Sequence, residues 1–455
     1  MDGQDKRGTT RRRFVAAGGT LLAVAPRAGR AQARRRVVWW YEAATPADQR
    51  TLDRLLVQPF NQSQRDYELV MEYRGNALPN QLLVAVSAGE GPDIVLTSGP
   101  AWTQRFVAGN RLVALDRWAD QFGWRDKFVP VMLNTAVFGG KLYALPKSYE
   151  TQVLFYNRTL FEQRQWRAPR TGAELEAVAA AMIAANITPI AGGSSGQRFV
   201  NRQYLGVVFN TQAGPENVYR ALRGEMPWNA PPFVDSVATL KSWWDKGWFG
   251  GQRYFSTTNQ QAFSLMAAGR AGMAMQGSWA FQWVPDSFAR TGQQLDWVPL
   301  PRLADSAPYP VFPLGIGANL AINAASRAQE GAALVLDRIT DEAFIRAISP
   351  LWEGEWNLPL RALIPSGPAP EDNGSRSIDA MAARLRAETA RAATTGAYGY
   401  TPWTFWPTRT DEFMKASMEE VWLGRMTPRQ FCDQLDATFR QDMSEGLANM
   451  PPPRA

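Results

Sequence analysis

Residues 36–60, RVVWWYEAATPADQRTLDRLLVQPF, open on a β-branched and aromatic run, Arg36 to Trp40, that reads as a strand. A helix follows it. Thr45 is placed to cap its N-terminus, Pro46 suits the first helical position, and Asp48 lies in the first turn. Leu52, Leu55, Leu56 and Phe60 then fall on one helical face. Working outward, 67–73 (YELVMEY) is strand-like, the stretch around Leu78 to Val86 is helical, and Asp93 to Thr97 is an apolar strand entered through Gly91-Pro92. Strands alternating with helices in this way predict βαβ units, an α/β fold and a largely parallel sheet.

Further along, Gly139-Gly140 separates Thr135–Phe138 from Lys141–Leu145, which is a two-residue hairpin signal. A second α/β region starts after it. Thr171 with Glu174 predicts a capping box for a helix to Ala185, and Ser326 with Gln329 predicts another behind a strand over Asn319–Asn323. The last strong helix opens at Thr427-Pro428 with Gln430. Pro and Gly concentrate over 297–317 and 358–374, where connections or lobe crossings are expected. No repeat of solenoid period is present.

The first residues stand outside this pattern. Thr10-Arg11-Arg12-Arg13-Phe14-Val15, a short apolar stretch to Ala25 and Ala31-Gln32-Ala33 together form an export signal, with cleavage expected near Ala33. Phe14 to Ala25 is far shorter than the roughly 20 residues of a membrane span. The paired arginines resemble the twin-arginine signal, whose substrates are exported already folded. No cysteine follows Ala33, so lipid attachment there is excluded. Residues 1–33 carry +5 of the chain's formal +7, and beyond them basic and acidic residues are interleaved without the stripe that nucleic acid requires.

About 420 residues remain, enough for two domains. There is no histidine, which removes Ser-His-Asp and Cys-His catalysis and histidine-ligated zinc. The single cysteine, Cys432, shares a helical face with Phe431, Leu435 and Phe439 and reads as buried packing. No cofactor and no metal is expected. Eighteen tryptophans supply flat apolar faces with one N–H donor each.

Three separated stretches carry a resemblance. They are 140–161, GKLYALPKSYETQVLFYNRTLF, followed by APRTGAELEAVAAAM; 263–281, FSLMAAGRAGMAMQGSWAF; and LAINAASRAQEGAALVLDRITDE, from Leu320. In collinear order these resemble the extracellular solute-binding proteins of ABC importers, family 1, and within them the carbohydrate-binding group. Two weaker matches, GPDIVLTSGPAWTQRFVAGNRLVALD and WLGRMTPRQFCDQLDATF, extend it over most of the mature chain. The resemblance implies a two-lobed periplasmic-binding-protein-like fold of class II, with lobes at 34–146 plus 319–375 and 147–318 plus 376–455. It also implies a monomeric, periplasmic, non-enzymatic receptor that delivers a carbohydrate, expected to be an oligosaccharide, to a membrane permease.

A neutral sugar is held by aromatic rings against its C–H faces and by directional hydrogen bonds to its hydroxyls. Trp279, in Gly277-Ser278-Trp279, matches the family's cleft tryptophan, and Glu150 stands where relatives place a glutamate on sugar hydroxyls. Tyr149 is a neighbouring candidate that strand alternation would turn to the core. Tyr41 and Glu42 follow the first strand, and Ser98 with Trp102 follow the strand ending at Thr97, where open α/β sheets place ligands. Phe199, Tyr204, Trp352, Trp403 and Trp406 complete the candidates, whereas Trp118, Trp243, Trp244 and Trp422 sit in helical patterns and read as core. A secreted glycoside hydrolase would share the composition, but it needs a carboxylate pair about 5–10 Å apart, and no motif for one occurs. The same fold binding a metal, phosphate or polyamine is the other alternative. Missing His and clustered Cys weaken metal, while aromatic rings leave cations open.

Replacing Arg11 and Arg12 together by lysine is expected to stop export, scored by fractionation of the producing cells. Unchanged export would assign the chain to the ordinary secretory pathway instead.

Overall fold

The computed structural model describes residues 33–42, 44–196, 198–282, 284–352, 355–364, 377–448 and 450–451. The export signal and the expected lobe boundary at 375/376 lie outside the described residues.

Twelve strands in chain order form the frame among the described residues: β1 Arg35–Tyr41, β2 Tyr67–Tyr73, β3 Ile94–Thr97, β4 Val137–Phe138, β5 Lys141–Leu142, β6 Ala144–Glu150, β7 Gln152–Asn157, β8 Thr188–Ile190, β9 Ala271–Gly277, β10 Leu295–Val298, β11 Phe312–Ile322 and β12 Tyr398–Tyr400. The first sheet has the order β12-β11-β3-β1-β2, with β6 also paired to β11. The second has the order β10-β7-β9-β8, and β4 with β5 make the small hairpin foreseen at Gly139-Gly140. Parallel pairing is only partial. β1 runs parallel to β2 and β3, but β11 is antiparallel to both β3 and β6, and β7 is antiparallel to β9 and β10. The expected largely parallel sheet is thus corrected to a mixed one, because β6 leaves this sheet toward the other lobe and β11 returns from it, and neither is joined to its neighbours through a local crossover helix.

Two cores result. One gathers Val37, Trp39, Leu52, Leu56, Leu320 and Leu336 and draws only on residues 37–145 and 318–360. The other lobe packs both faces of its sheet. Along β7, Leu154 enters one cluster while Val153 and Phe155 enter another, and on β9 Met273 and Met275 alternate in the same way with Ala274. Burying a side chain of this size stabilises by about 1.5–3 kcal/mol, so each cluster holds its lobe without a cross-link. Cys432 is buried and free, its thiol pushed up to about 12 mainly by burial.

Local chemistry explains the elements and two departures from expectation. The capping box at Thr171, the cap at Thr45 and the helix start at Thr427 form as read, and Thr45 with Asp48 and Thr427 with Gln430 close capping boxes as well. The helix opened by Thr45 is interrupted by a π turn at Asp53–Val57, because Pro59 has no N–H for the Leu55 carbonyl and the preceding turn widens. Ser326 is not an N-cap; its hydroxyl donates to Asp93 (2.5 Å) and accepts from the Ala328 N–H, and the helix starts at Gln329. Residues 312–317, within the stretch expected to hold connections or lobe crossings, are the first half of β11, the strand that returns the chain to the first sheet.

The glycines in that half have a packing reason. Gly315 is paired with Glu150, and Gly317 forms a bulge between the pairs Ile316–Tyr149 and Ala318–Ser148. A Cβ on Gly317 would stand 2.6 Å from Glu150 Oε2, and one on Gly315 would stand 2.9 Å from Glu150 Cγ. β11 is glycine-rich because the Glu150 side chain lies across it. Gly317→Ala is expected to destabilise by about 1–3 kcal/mol through overpacking, measured by denaturant unfolding. In the Glu150→Ala background the same change should cost clearly less, since the two sites share one contact.

Candidate functional site

Glu150 ends β6, and two residues later the chain is in β7 of the other sheet. Its backbone is fixed on both sides. Tyr149 donates its N–H to the Asn357 carbonyl (2.9 Å) and accepts from the Asn357 amide (3.0 Å), while Ser148 bridges Asn357. The Glu150 side chain is 8 % exposed and accepts a 2.5 Å bond from the Trp403 indole N–H. Burial pushes its carboxyl up to about 7; the Trp403 bond and the Arg202 charge oppose the shift, and the Glu355 charge adds to it.

Trp403 stands on a short helix, Pro402–Phe405, that buried hydroxyls tie to β11. Thr401 Oγ1 donates to the Leu314 carbonyl (2.8 Å), Thr404 Oγ1 accepts from the Ile316 N–H (2.9 Å), and the two threonines bond each other. The Asn210 side chain exchanges hydrogen bonds with both the N–H and the carbonyl of Tyr400 just before them. Trp279 meets this platform from β9. It sits half-buried in the 3-10 turn Ser278–Gln282, and its ring packs edge-on against Trp403 with centroids 5.4 Å apart at 79°. Gly277 makes this possible, since a Cβ there would lie 2.0 Å from the indole. Beside them Arg202 pairs with Asp411, with its guanidinium 5.5 Å from the Trp403 ring centre and 4.9 Å from that of Phe199. Phe199 is 38 % exposed.

Opposite, against the first core, Lys147 of β6 has a wholly buried side chain that pairs with Glu355 and reaches Glu42 at 3.7 Å. Tyr41 and Trp356 lie parallel, 6.3 Å apart, and Trp352 tilts against Tyr41 at 5.8 Å. The Tyr41 hydroxyl donates to Glu355 (3.2 Å). Lys147 holds the Glu355 carboxyl below its ordinary value despite burial, whereas desolvation and the neighbouring Glu355 charge hold that of Glu42 above it. Ser98 is exposed at the end of β3, and Trp102 is half-buried with Arg105 6.0 Å from its ring centre. The Ser98 turn abuts the platform: Gly99 adopts φ +85°, and a Cβ on it would stand 2.7 Å from the Ile316 carbonyl and 3.3 Å from that of Trp403.

Four candidates are displaced. Tyr204 is fully buried and stacks on Phe249 at 4.9 Å, and Trp406 is buried against Trp228 at 5.0 Å. Both belong to the second-lobe core, because each falls on the inward side of its helix or turn. Tyr149 also faces that core, its hydroxyl 3.4 Å from the Arg386 carbonyl. Tyr41 is wholly enclosed and acts on the cleft through Glu355. Trp403, three residues before Trp406, is the aromatic of that segment that reaches Glu150. Sequence reading missed Lys147, Arg202 and Glu355. A lone lysine in the otherwise uncharged run before Glu150, and a glutamate between Trp352 and Trp356, were the available signals. Among the described residues no group of His, Cys, Asp and Glu is arranged to hold a metal ion.

The assembly offers a half-buried indole, buried acceptors and charged donors on both sides of a crossing strand, which suits a polar solute. Between pH about 4.5 and about 7 Glu150 binds more proton in the folded chain than in the unfolded one, so its contribution to stability falls as pH rises through that window. Glu150→Gln is expected to flatten that part of the stability profile, read by denaturant unfolding at a series of pH values against the parent.

Comparison with known proteins agrees with this geometry. The chain is 31% identical over 113 residues to the maltotriose-binding protein of Pyrococcus abyssi (strain GE5 / Orsay), a match that spans 25% of this chain and only 23% of that relative. In structure it is similar to a chitin oligosaccharide binding protein (TM-score 0.72, 20% identity, 90% of this chain and 99% of the other). It is also similar to the cyclic alpha-maltosyl-1,6-maltose binding protein from Arthrobacter globiformis (TM-score 0.69, 16% identity, 90% and 100%). Residues 43–343 match the family described as bacterial extracellular solute-binding protein. With two lobes, a crossing strand and a polar-aromatic cleft already in place, the chain belongs to the bacterial extracellular solute-binding proteins of ABC importers.

Proposed function

We propose that this chain is a periplasmic receptor that captures an oligosaccharide between its lobes and presents the closed form to an ABC permease, acting as a monomer after loss of residues 1–33. The observation that carries the reading is the Trp279–Trp403–Glu150 arrangement: an indole face available to a pyranose ring beside a carboxylate fixed at the crossing. Lobes at 34–146 with 319–375 and 147–318 with 376–455 fit the way the first core draws on two separated stretches of chain. A ligand touching Glu42 from one lobe and Trp279 from the other favours the closed state by contacts the open state lacks. The match to proteins named for maltotriose, chitin oligosaccharide and a cyclic maltosyl-maltose supports a carbohydrate ligand.

A hydrolase is the second reading, and one observation favours it. Glu150 is raised and Glu355 lowered, the divergence expected of an acid and a base. Against it, the Glu355 carboxylate is engaged by Lys147 and Tyr41. Incubation with malto-, chito- and xylo-oligosaccharides decides: release of reducing ends would end the receptor reading, and binding without turnover would end the hydrolase.

Trp279→Ala is expected to lower affinity roughly 30- to 1,000-fold, the loss typical of an aromatic anchor, while stability falls by less than the ~3–5 kcal/mol of a core tryptophan. Titration calorimetry with the oligosaccharide found in that screen, together with denaturant unfolding, measures both. Unchanged affinity with a large loss of stability would assign Trp279 to packing.

A further inference from the structure

The side of the cleft that rests on the first core contains a cage that the protein fills itself. The Lys147 ammonium lies 5.2 Å from the ring centre of Tyr41 and 5.0 Å from that of Trp356, with Glu355 paired to it and Glu42 at 3.7 Å. Two aromatic faces and two carboxylates around a desolvated ammonium are the chemistry by which proteins recognise amine and quaternary ammonium ligands. We propose that Lys147 is a tethered cation occupying such a cage, and that it is the specificity-determining residue by which this half of the cleft refuses amines and is left to neutral, hydroxyl-bearing ligands. The proposal rests on the carbohydrate reading of the cleft, and it separates that reading from the cationic alternative.

Three observations support it. The Lys147 side chain is fully buried, so an incoming ammonium cannot share the ring faces without meeting a like charge where screening is weak. Glu42 is the member of the cage that faces outward, with 41 % of its side chain exposed. Its carboxylate already has the Lys147 ammonium at 3.7 Å, so it is a poor partner for a second cation and a serviceable one for hydroxyls. The second lobe repeats the device: Arg202, paired with Asp411, stands over Trp403 and Phe199, and Lys415 is 5.2 Å from the Phe199 ring centre. Among the described residues no lysine or arginine stands over the ring of Trp279, the aromatic assigned above to stacking on sugar.

The test uses the mature chain. Lys147→Ala removes the side chain beyond Cβ, and n-propylammonium supplies the same atoms. Thermal midpoints of the parent, Lys147→Ala and Lys147→Met are compared in n-propylammonium chloride, with sodium chloride and 1-propanol at equal concentration as controls. The Ala variant should lose several degrees and regain at least half of them in propylammonium alone. The parent, and the Met variant whose stem still fills the space, should show no specific gain. If the Ala variant unfolds in plain buffer, refolding in propylammonium but not in propanol is the supporting result, and failure to refold in either overturns the proposal. A gain in the Met variant equal to that of Ala, or calorimetric binding of spermidine to the parent, also overturns it. A parent that ignores both amines and the oligosaccharide panel, with the Ala variant rescued, would leave the cage standing and sink the carbohydrate reading.

Discussion

The Glu150 carboxyl crossing the bulge of β11 is the contact on which the site depends. It lies where β6 leaves one sheet for the other, over two glycines that leave room for it, and under an indole that donates to it. A buried carboxyl without a donor is expensive. Trp403 therefore has to be where it is, and the Thr401–Thr404 helix and the Asn210 bonds to Tyr400 hold it there. Trp279 in turn takes its tilt from Trp403 and from the glycine beneath it. One polar contact thus orders residues from three distant parts of the sequence.

The two halves of the cleft are built alike in principle and differently in detail. Each has aromatic rings, carboxylates and a cation paired within the protein, Lys147 beside the first core and Arg202 beside Trp403. Desolvation of these pairs is costly in isolation, and the ring faces and hydrogen bonds around each cation offset part of it. The charge is in effect prearranged, so a polar neutral solute can be bound without neutralising anything.

Much of the fold was legible because it is written locally. The helix caps at Thr45, Thr171 and Thr427, the Gly139-Gly140 hairpin and the strand at Tyr67–Tyr73 need only a few neighbouring residues to specify them. What was not legible depends on partners far away in sequence. Residues 312–317 read only as a connection or a lobe crossing, not as a strand, because their glycines answer to Glu150, more than 160 positions earlier, and Ser326 left its capping role for Asp93. Glu150 and Trp279 were singled out by motif and both meet Trp403, but nothing in the local pattern of Trp403-Thr-Phe-Trp406 says which indole turns toward them. Tyr204 and Trp406 were misplaced for the same reason: an aromatic ring serves a core as readily as a ligand.

The interleaving of the lobes bears on how the chain reaches its native state. β11 fills the place between β3 and β6 in the first sheet, and β12 adds to the same sheet from residue 398 onward. During synthesis the opening 145 residues thus lack an inner strand until more than 170 further residues have emerged, and the first lobe cannot close on its own as a ribosome delivers it. Pairings of such long range form slowly and leave sheet edges open meanwhile. The glycines of β11 thus decide, from late in the chain, when the sheet begun by its first residues is complete.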